Sequence, residues 1–190
     1  MTEKSIMIVG VGGQGSLLAS KILGNAVLSQ GKDVKVSEVH GMSQRGGSVV
    51  TYVRYGDDVA SPIINKGEAD IILSFEKLEA ARWLPFLKKG GIIITNSQQI
   101  NPMPVITGQA TYPETVLEGI KAKDVRVIEC DALALAKEAG SEKAVNVVLI
   151  GMLAHFTGFD LDIMREAVKN SVPSKFLEVN MKAFEIGAAI

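Results

Sequence analysis

The stretch that most constrains this chain is residues 5–16, Ser-Ile-Met-Ile-Val-Gly-Val-Gly-Gly-Gln-Gly-Ser. Residues 6–9 are a short apolar run that reads as a buried strand. The run stops at Gly10, and a helical pattern opens at Gly15 and Ser16. Gly10, Gly12 and Gly15 fit G-x-G-x-x-G, with Gly13 as an additional glycine. Glycines at these places permit a tight turn and let backbone N–H groups approach a phosphate closely. The helix N-terminus behind them adds partial positive charge. The alternative is a tight turn with no ligand; a strand before and a helix after favour the anion-binding reading.

The residues that follow extend this unit. Residues 16–30 read as a helix with Leu18, Ile22, Leu23, Ala26 and Val27 on its apolar side, and residues 34–39 read as a second strand. A strand–helix–strand unit of this length predicts parallel pairing and a right-handed crossover. Glu38 then lies where a dinucleotide-binding fold places its ribose-binding carboxylate. What comes next departs from that fold. Residues 40–48, His-Gly-Met-Ser-Gln-Arg-Gly-Gly-Ser, are a second glycine-rich segment, too broken for a helix, and they lead directly into a strand over 49–55. The helix expected after the second strand is missing, which counts against a plain NAD domain.

From residue 69 the α/β rhythm resumes. Strands are expected over 70–74, 92–95 and 125–129, and helices over 76–87, 114–121 and 131–139. Residues 88–91, Lys-Lys-Gly-Gly, read as a helix stop, and 105–106 as a short strand within a proline-containing loop. The last third reads as three helices, 144–156, 161–170 and 174–190. The expected architecture is a Rossmann-like α/β fold. Its sheet is mostly parallel, with an inserted antiparallel strand segment and a helical C-terminal part. At 190 residues, nearly half of them apolar, the chain is expected to form a single domain over 1–190.

Composition excludes several classes of function. The formal charge is −1 and basic residues are not gathered into one run, so nucleic acid is not an expected partner. The longest apolar stretch, 145–156, is interrupted by Asn146 and Gly151 and is too short to span a bilayer. No leader pattern is visible in the first residues, so a cytoplasmic location is expected. One cysteine, Cys130, and two isolated histidines supply no ligand set for zinc or an iron–sulfur cluster.

No nucleophile–base pair or carboxylate pair follows from spacing. Ser16 reads as a helix opener, Cys130 as a buried thiol, His155 as a structural histidine, and Glu76 and Glu79 as ordinary charged helix residues. His40, beside the second glycine-rich loop, reads as a hydrogen-bonding residue. What remains is two loops of complementary chemistry. The first offers backbone N–H groups and the Gln14 amide. The second offers Ser43, Gln44, the fixed charge of Arg45 and the backbone of Gly46 and Gly47. An arginine between small residues can fork onto a phosphate or carboxylate, or it can simply be solvated.

Residues 10–15, Gly-Val-Gly-Gly-Gln-Gly, and 37–47, Ser-Glu-Val-His-Gly-Met-Ser-Gln-Arg-Gly-Gly, resemble a known family. They are similar to the gamma subunit or gamma domain of 2-oxoacid:ferredoxin oxidoreductases, and most similar to the beta subunit of indolepyruvate:ferredoxin oxidoreductase. The similarity extends to Gly67-Glu-Ala-Asp70, Lys143-Ala-Val-Asn146 and residues 175–184. It implies one subunit of a complex that oxidatively decarboxylates a 2-oxoacid, with coenzyme A taking the acyl group and ferredoxin the electrons. Thiamine diphosphate and iron–sulfur clusters would belong to partner subunits, and ferredoxin would be met only indirectly. The resemblance also implies that this chain lies on the coenzyme A side of the active site. Gly12, Gly13, Gln14, Gly15 and Ser16 become candidate ligand contacts. Gln44, Arg45, Gly46 and Gly47 become candidates for the same site or for the adjoining subunit boundary. No residue of this chain is assigned a catalytic or metal-binding role, and the isolated chain is expected to be inactive, with homodimerisation as an option open to it. Two alternatives stand beside this reading, a stand-alone NAD(P)-binding oxidoreductase and a purely structural scaffold subunit.

Overall fold

The computed structural model describes residues 3–40 and 47–190, with the backbone alone at His40. Among these residues six strands form one sheet. They are β1 (Lys4–Val11), β2 (Asp33–His40), β3 (Ser48–Gly56), β4 (Ala69–Ser74), β5 (Leu87–Asn96) and β6 (Arg126–Cys130). Their order across the sheet is β2-β3-β1-β4-β5-β6. The pairs β1–β4, β4–β5 and β5–β6 are parallel, whereas β3 runs antiparallel to both β1 and β2.

The apolar run in β1 is continuous because both faces of that strand are covered, as is usual for the interior of a largely parallel sheet. Ile6 and Ile8 enter one core and Met7 and Val9 the other, at the two-residue period of a strand. The first core lies under α1 (Ser16–Leu28), α5 (Ala132–Ala139), α6 (Val145–Thr157), α7 (Leu161–Ser171) and α8 (Leu177–Ala188). The second lies under α2 (Lys77–Trp83) and α4 (Val116–Lys121). A four-residue helix, α3 (Met103–Ile106), stands in the loop between them in sequence.

The chain therefore leaves β1 toward one face of the sheet and leaves β4 toward the other. These two strands are neighbours, and the divergence opens a crevice at their C-terminal ends, the usual ligand position in open α/β sheets. The glycine turn sits at that place.

The mostly parallel sheet, the inserted antiparallel strand and the helical C-terminal part agree with the sequence expectation. Several local readings are corrected. β1 and β2 run in the same direction but do not pair, because β3 occupies the position between them. Residues 88–91 are not a helix stop but the first half of β5, after α2 has ended at Trp83 and a 3-10 turn at Leu84–Phe86 has reversed the chain. Their pairing is anchored by Lys88, whose ammonium meets the Asp70 carboxylate on β4. Residues 105–106 belong to α3 rather than to a strand. Ile106 N–H closes a helical turn on the Pro102 carbonyl at 3.1 Å, and Thr107 N–H does the same on Met103 at 2.9 Å.

In the helical layer, α6 is apolar on all sides and is buried from Asn146 to Ala154. Gly151 on α6 and Gly187 on α8 face each other's helix closely enough that a methyl group on either would collide with backbone. At Gly187 the obstacle is the Val148 carbonyl oxygen, and at Gly151 it is the Phe184 carbonyl oxygen. Glycine is needed at both positions for close approach.

Candidate functional site

The turn after β1 is held by bonds that reach across the molecule. Gln14 folds its side chain back, so that Oε1 accepts the Val11 N–H at 2.7 Å and Nε2 donates to the Phe75 carbonyl at 3.0 Å. Phe75 follows β4, and its own N–H donates to the Val9 carbonyl at 2.9 Å. The Gln14 amide also reaches Gln98 Oε1 at 3.4 Å, and Asn96 joins the same cluster through Nδ2. Asn96 Oδ1 in turn accepts the Ala132 N–H at the start of α5, at 3.1 Å. A chain of side-chain amides thus ties the ends of β1, β4 and β5 to one another.

The second glycine loop joins the first at one point. Gly12 N–H donates to the Gly47 carbonyl at 2.9 Å, so these two candidates are together. Gln44, Arg45 and Gly46 lie outside the described residues.

This geometry divides the candidates of the first loop. Gly12 N–H is taken by Gly47, and Gln14 N–H is taken by the Val11 carbonyl at 3.2 Å. The Gln14 side chain bonds Val11, Phe75 and Gln98, so it braces the turn while also lining the cavity described next. Among the described residues, the N–H groups of Gly13, Gly15 and Ser16 have no protein partner. Gly15 is the N-cap of α1 with φ 87°, and it contributes no side-chain cap, while the first turn of α1 carries no acidic residue. The first N–H groups of a 13-residue helix are therefore left to an outside acceptor. Gly13 has φ 99° and open space where a Cβ would stand.

A cavity of about 550 Å³ opens over this turn, lined by Gly13, Gln14, Gly15, Gln98, Leu133, by Glu142 and Lys143 of the 3-10 turn Glu142–Ala144, and by Val145 at the start of α6. Asn146 backs that wall. Its Nδ2 donates to the Gly15 carbonyl at 3.2 Å, and a Cβ at Gly15 would come within 2.6 Å of the same nitrogen. In the sequence Asn146 is an interruption in an apolar run, and nothing local announces this contact beyond the interruption itself, an amide inside an otherwise fully apolar helix.

Other residues are placed differently from expectation. Glu76 and Glu79 are buried, at 1% and 4% exposure, not ordinary charged helix residues. Glu76 caps α2 through the Glu79 N–H at 3.0 Å, and it accepts the Tyr112 hydroxyl at 2.5 Å and the Ile100 N–H at 3.2 Å. Burial together with this carboxylate pushes the Tyr112 phenol well above its ordinary range. Glu79 accepts from the Ser48 hydroxyl and from Arg82 Nε at 3.0 Å. The pair fastens α2 to β3 and to the loop before α4. His155 is exposed at the end of α6, edge-on to Phe156 at 4.9 Å. Cys130 is partly buried with Sγ 3.0 Å from Met152 Sδ.

The dinucleotide alternative loses its geometric basis. Glu38 is on β2, which stands two strand spacings from β1 because β3 intervenes. It pairs in register with Thr51, whose hydroxyl donates to Glu38 Oε2 at 3.4 Å. No helix among the described residues is long and apolar enough to cross a membrane.

Comparison with known proteins agrees with this architecture over its full span. The family described as pyruvate ferredoxin/flavodoxin oxidoreductase matches residues 5–190. The indolepyruvate oxidoreductase subunit IorB of Pyrococcus horikoshii is 50% identical, over 98% of this chain and 95% of that protein. A solved gamma subunit of a keto/oxoacid ferredoxin oxidoreductase from Geobacter sulfurreducens is 25% identical. It superposes with a TM-score of 0.72 over 97% of this chain and 95% of that one. A 2-oxoglutarate:ferredoxin oxidoreductase from Magnetococcus marinus, solved with 2-oxoglutarate, coenzyme A and succinyl-CoA bound, shares the fold at 18% identity. The TM-score is 0.75, over all of this chain and 31% of that one. The chain belongs to the pyruvate ferredoxin/flavodoxin oxidoreductase family and has the fold of its gamma subunits.

Proposed function

We propose that this chain is the gamma-type subunit of a 2-oxoacid:ferredoxin oxidoreductase complex, and that its glycine turn holds a phosphate of coenzyme A. The observation that carries the ligand part is the set of unpartnered N–H groups at Gly13, Gly15 and Ser16 on an uncapped helix start, opening on the cavity at the strand crevice. Thiamine diphosphate and the iron–sulfur clusters belong to partner subunits, which also hold the decarboxylating pocket. This chain contributes to coenzyme A binding and to assembly. Identity of 50% to an indolepyruvate oxidoreductase subunit supports an aryl 2-oxoacid as the substrate of the complex.

Within this reading the chain's own residues perform binding and orientation only. The Gly13, Gly15 and Ser16 amides fix the phosphate, Gln14 keeps the turn in shape, and Gly47 braces Gly12 from the second loop. Gln44, Arg45 and Gly46 remain proposed contacts of the ligand or of the neighbouring subunit. The scaffold alternative draws on one observation. Met103 and Ile106 on α3 are 63% and 65% exposed, as befits a surface that another subunit covers.

The test uses the purified complex, a panel of oxoacids and the Gly13→Val variant. A branched side chain at φ 99° strains the turn and fills the space above it. The expected result is turnover with indolepyruvate, a raised KM for coenzyme A in the variant, and an unchanged KM for the oxoacid. An unchanged coenzyme A KM in an assembled, folded variant would refute the ligand assignment and leave the scaffold role.

A further inference from the structure

The cavity over the glycine turn has a second wall, and its residues are unlike those of the first. The turn supplies backbone donors. The 3-10 turn Glu142–Ala144 and the start of α6 supply side chains, with Glu142, Lys143 and Val145 lining the cavity and Asn146 standing behind Gly15. Lys143 is exposed, lines the cavity and forms no ion pair among the described residues. Glu142 lines it as well. Asn146 is only 5% exposed, lies against Gly15 through Nδ2, and has Oδ1 buried with no hydrogen-bond partner. An acceptor buried without a donor costs about 1–3 kcal/mol, so such atoms are scarce where nothing completes them. This one sits behind a turn that already presents unpartnered donors.

We propose that Lys143 and Asn146 form the second half of the anion site, with Lys143 as the cation that meets the phosphate ester and Asn146 as the residue that positions Gly15. Asn146 holds the Gly15 carbonyl away from the ligand, which keeps the Gly15 and Ser16 N–H groups turned toward it. Its Oδ1 accepts a hydrogen bond from an N–H or O–H of the bound molecule or from a water trapped beside it. Lys143 offsets Glu142, so the wall is neutral with both present and negative when Lys143 is removed. A point charge on a flexible stem suits a phosphate whose geometry is already fixed by backbone donors. The inference rests on the coenzyme A reading given above and adds residues that neither glycine loop contains.

The experiment measures coenzyme A affinity of the purified complex by equilibrium dialysis, with the oxoacid KM as a control. Lys143→Met should raise the Kd roughly tenfold, which corresponds to about 1.4 kcal/mol. Lys143→Arg should restore most of the affinity, and Glu142→Gln should tighten binding. Raising ionic strength should weaken the wild-type complex more than the Lys143→Met variant. Asn146→Asp, which keeps the shape and adds negative charge beside the phosphate, should weaken coenzyme A without changing the oxoacid KM. If Gly13→Val weakens coenzyme A and Lys143→Met does not, the second wall is refuted while the glycine-turn site stands. If neither variant changes the Kd, the glycine-turn reading fails and takes this inference with it.

Discussion

Asn146 Nδ2 donates to the Gly15 carbonyl at 3.2 Å, joining the first turn of α6 to the last residue of the glycine turn across 131 positions of sequence. The contact explains how two features far apart in sequence come to line one cavity. It also makes Gly15 doubly constrained. The residue has φ 87°, and a Cβ would come within 2.6 Å of Asn146 Nδ2.

Gly15→Ala should therefore destabilise the chain by about 1–3 kcal/mol, the usual cost of holding a side chain in such a backbone conformation. Removing the obstructing amide should recover only the steric part. In chemical denaturation, Gly15→Ala/Asn146→Ala is expected to be more stable than the two single effects added together predict. Strict additivity would mean that the two residues do not touch.

At Gly187, as at Gly151, a methyl group has no room, because α6 and α8 meet through backbone there. Gly187→Ala should cost about 1–3 kcal/mol through overpacking, despite alanine's better helix propensity. Thermal unfolding would show a fall in Tm, whereas a rise would show that the helices are farther apart than described.

Cys130 should be inert. Burial pushes its thiol up to about 12, with the charges of Asp131 and Glu129 acting in the same direction. Since the thiolate is the nucleophile, a disulfide reagent at pH 8 should label the native chain slowly and the denatured chain at once. The sign of the linkage follows from the same shift. The folded state keeps the proton longer, so this group's contribution to stability is intact below its ordinary value near 9 and is lost as pH rises through about 12. Rapid labelling of native protein at pH 8 would contradict the burial.

Much of the fold was legible because its signals are local. The apolar run in β1, the glycine turn and the start of α1 at Ser16 declare themselves within a dozen residues. What stayed hidden depends on partners distant in the chain. That β3 lies between β1 and β2 is a matter of which edge a later strand joins, and no periodicity in 33–40 encodes it. The burial of Glu76 is made acceptable by Tyr112 and Ile100, more than twenty residues on. Gln14 looked like a ligand group because its amide is polar and adjoins glycines. Phe75 and Gln98, which occupy that amide, are 61 and 84 residues away. The candidate site was thus half readable. Its backbone donors follow from glycine spacing, and its side-chain wall at Lys143 and Asn146 required the packing of α6 against α1.

The proposed site places coenzyme A against the glycine turn and the 3-10 turn that leads into α6. Amide hydrogen exchange on the assembled complex, with and without saturating coenzyme A, tests it most directly. Adding coenzyme A should slow exchange for the amides of residues 13–18, with a second protected segment over 142–147. Unchanged exchange over 13–18 at saturating coenzyme A would contradict it.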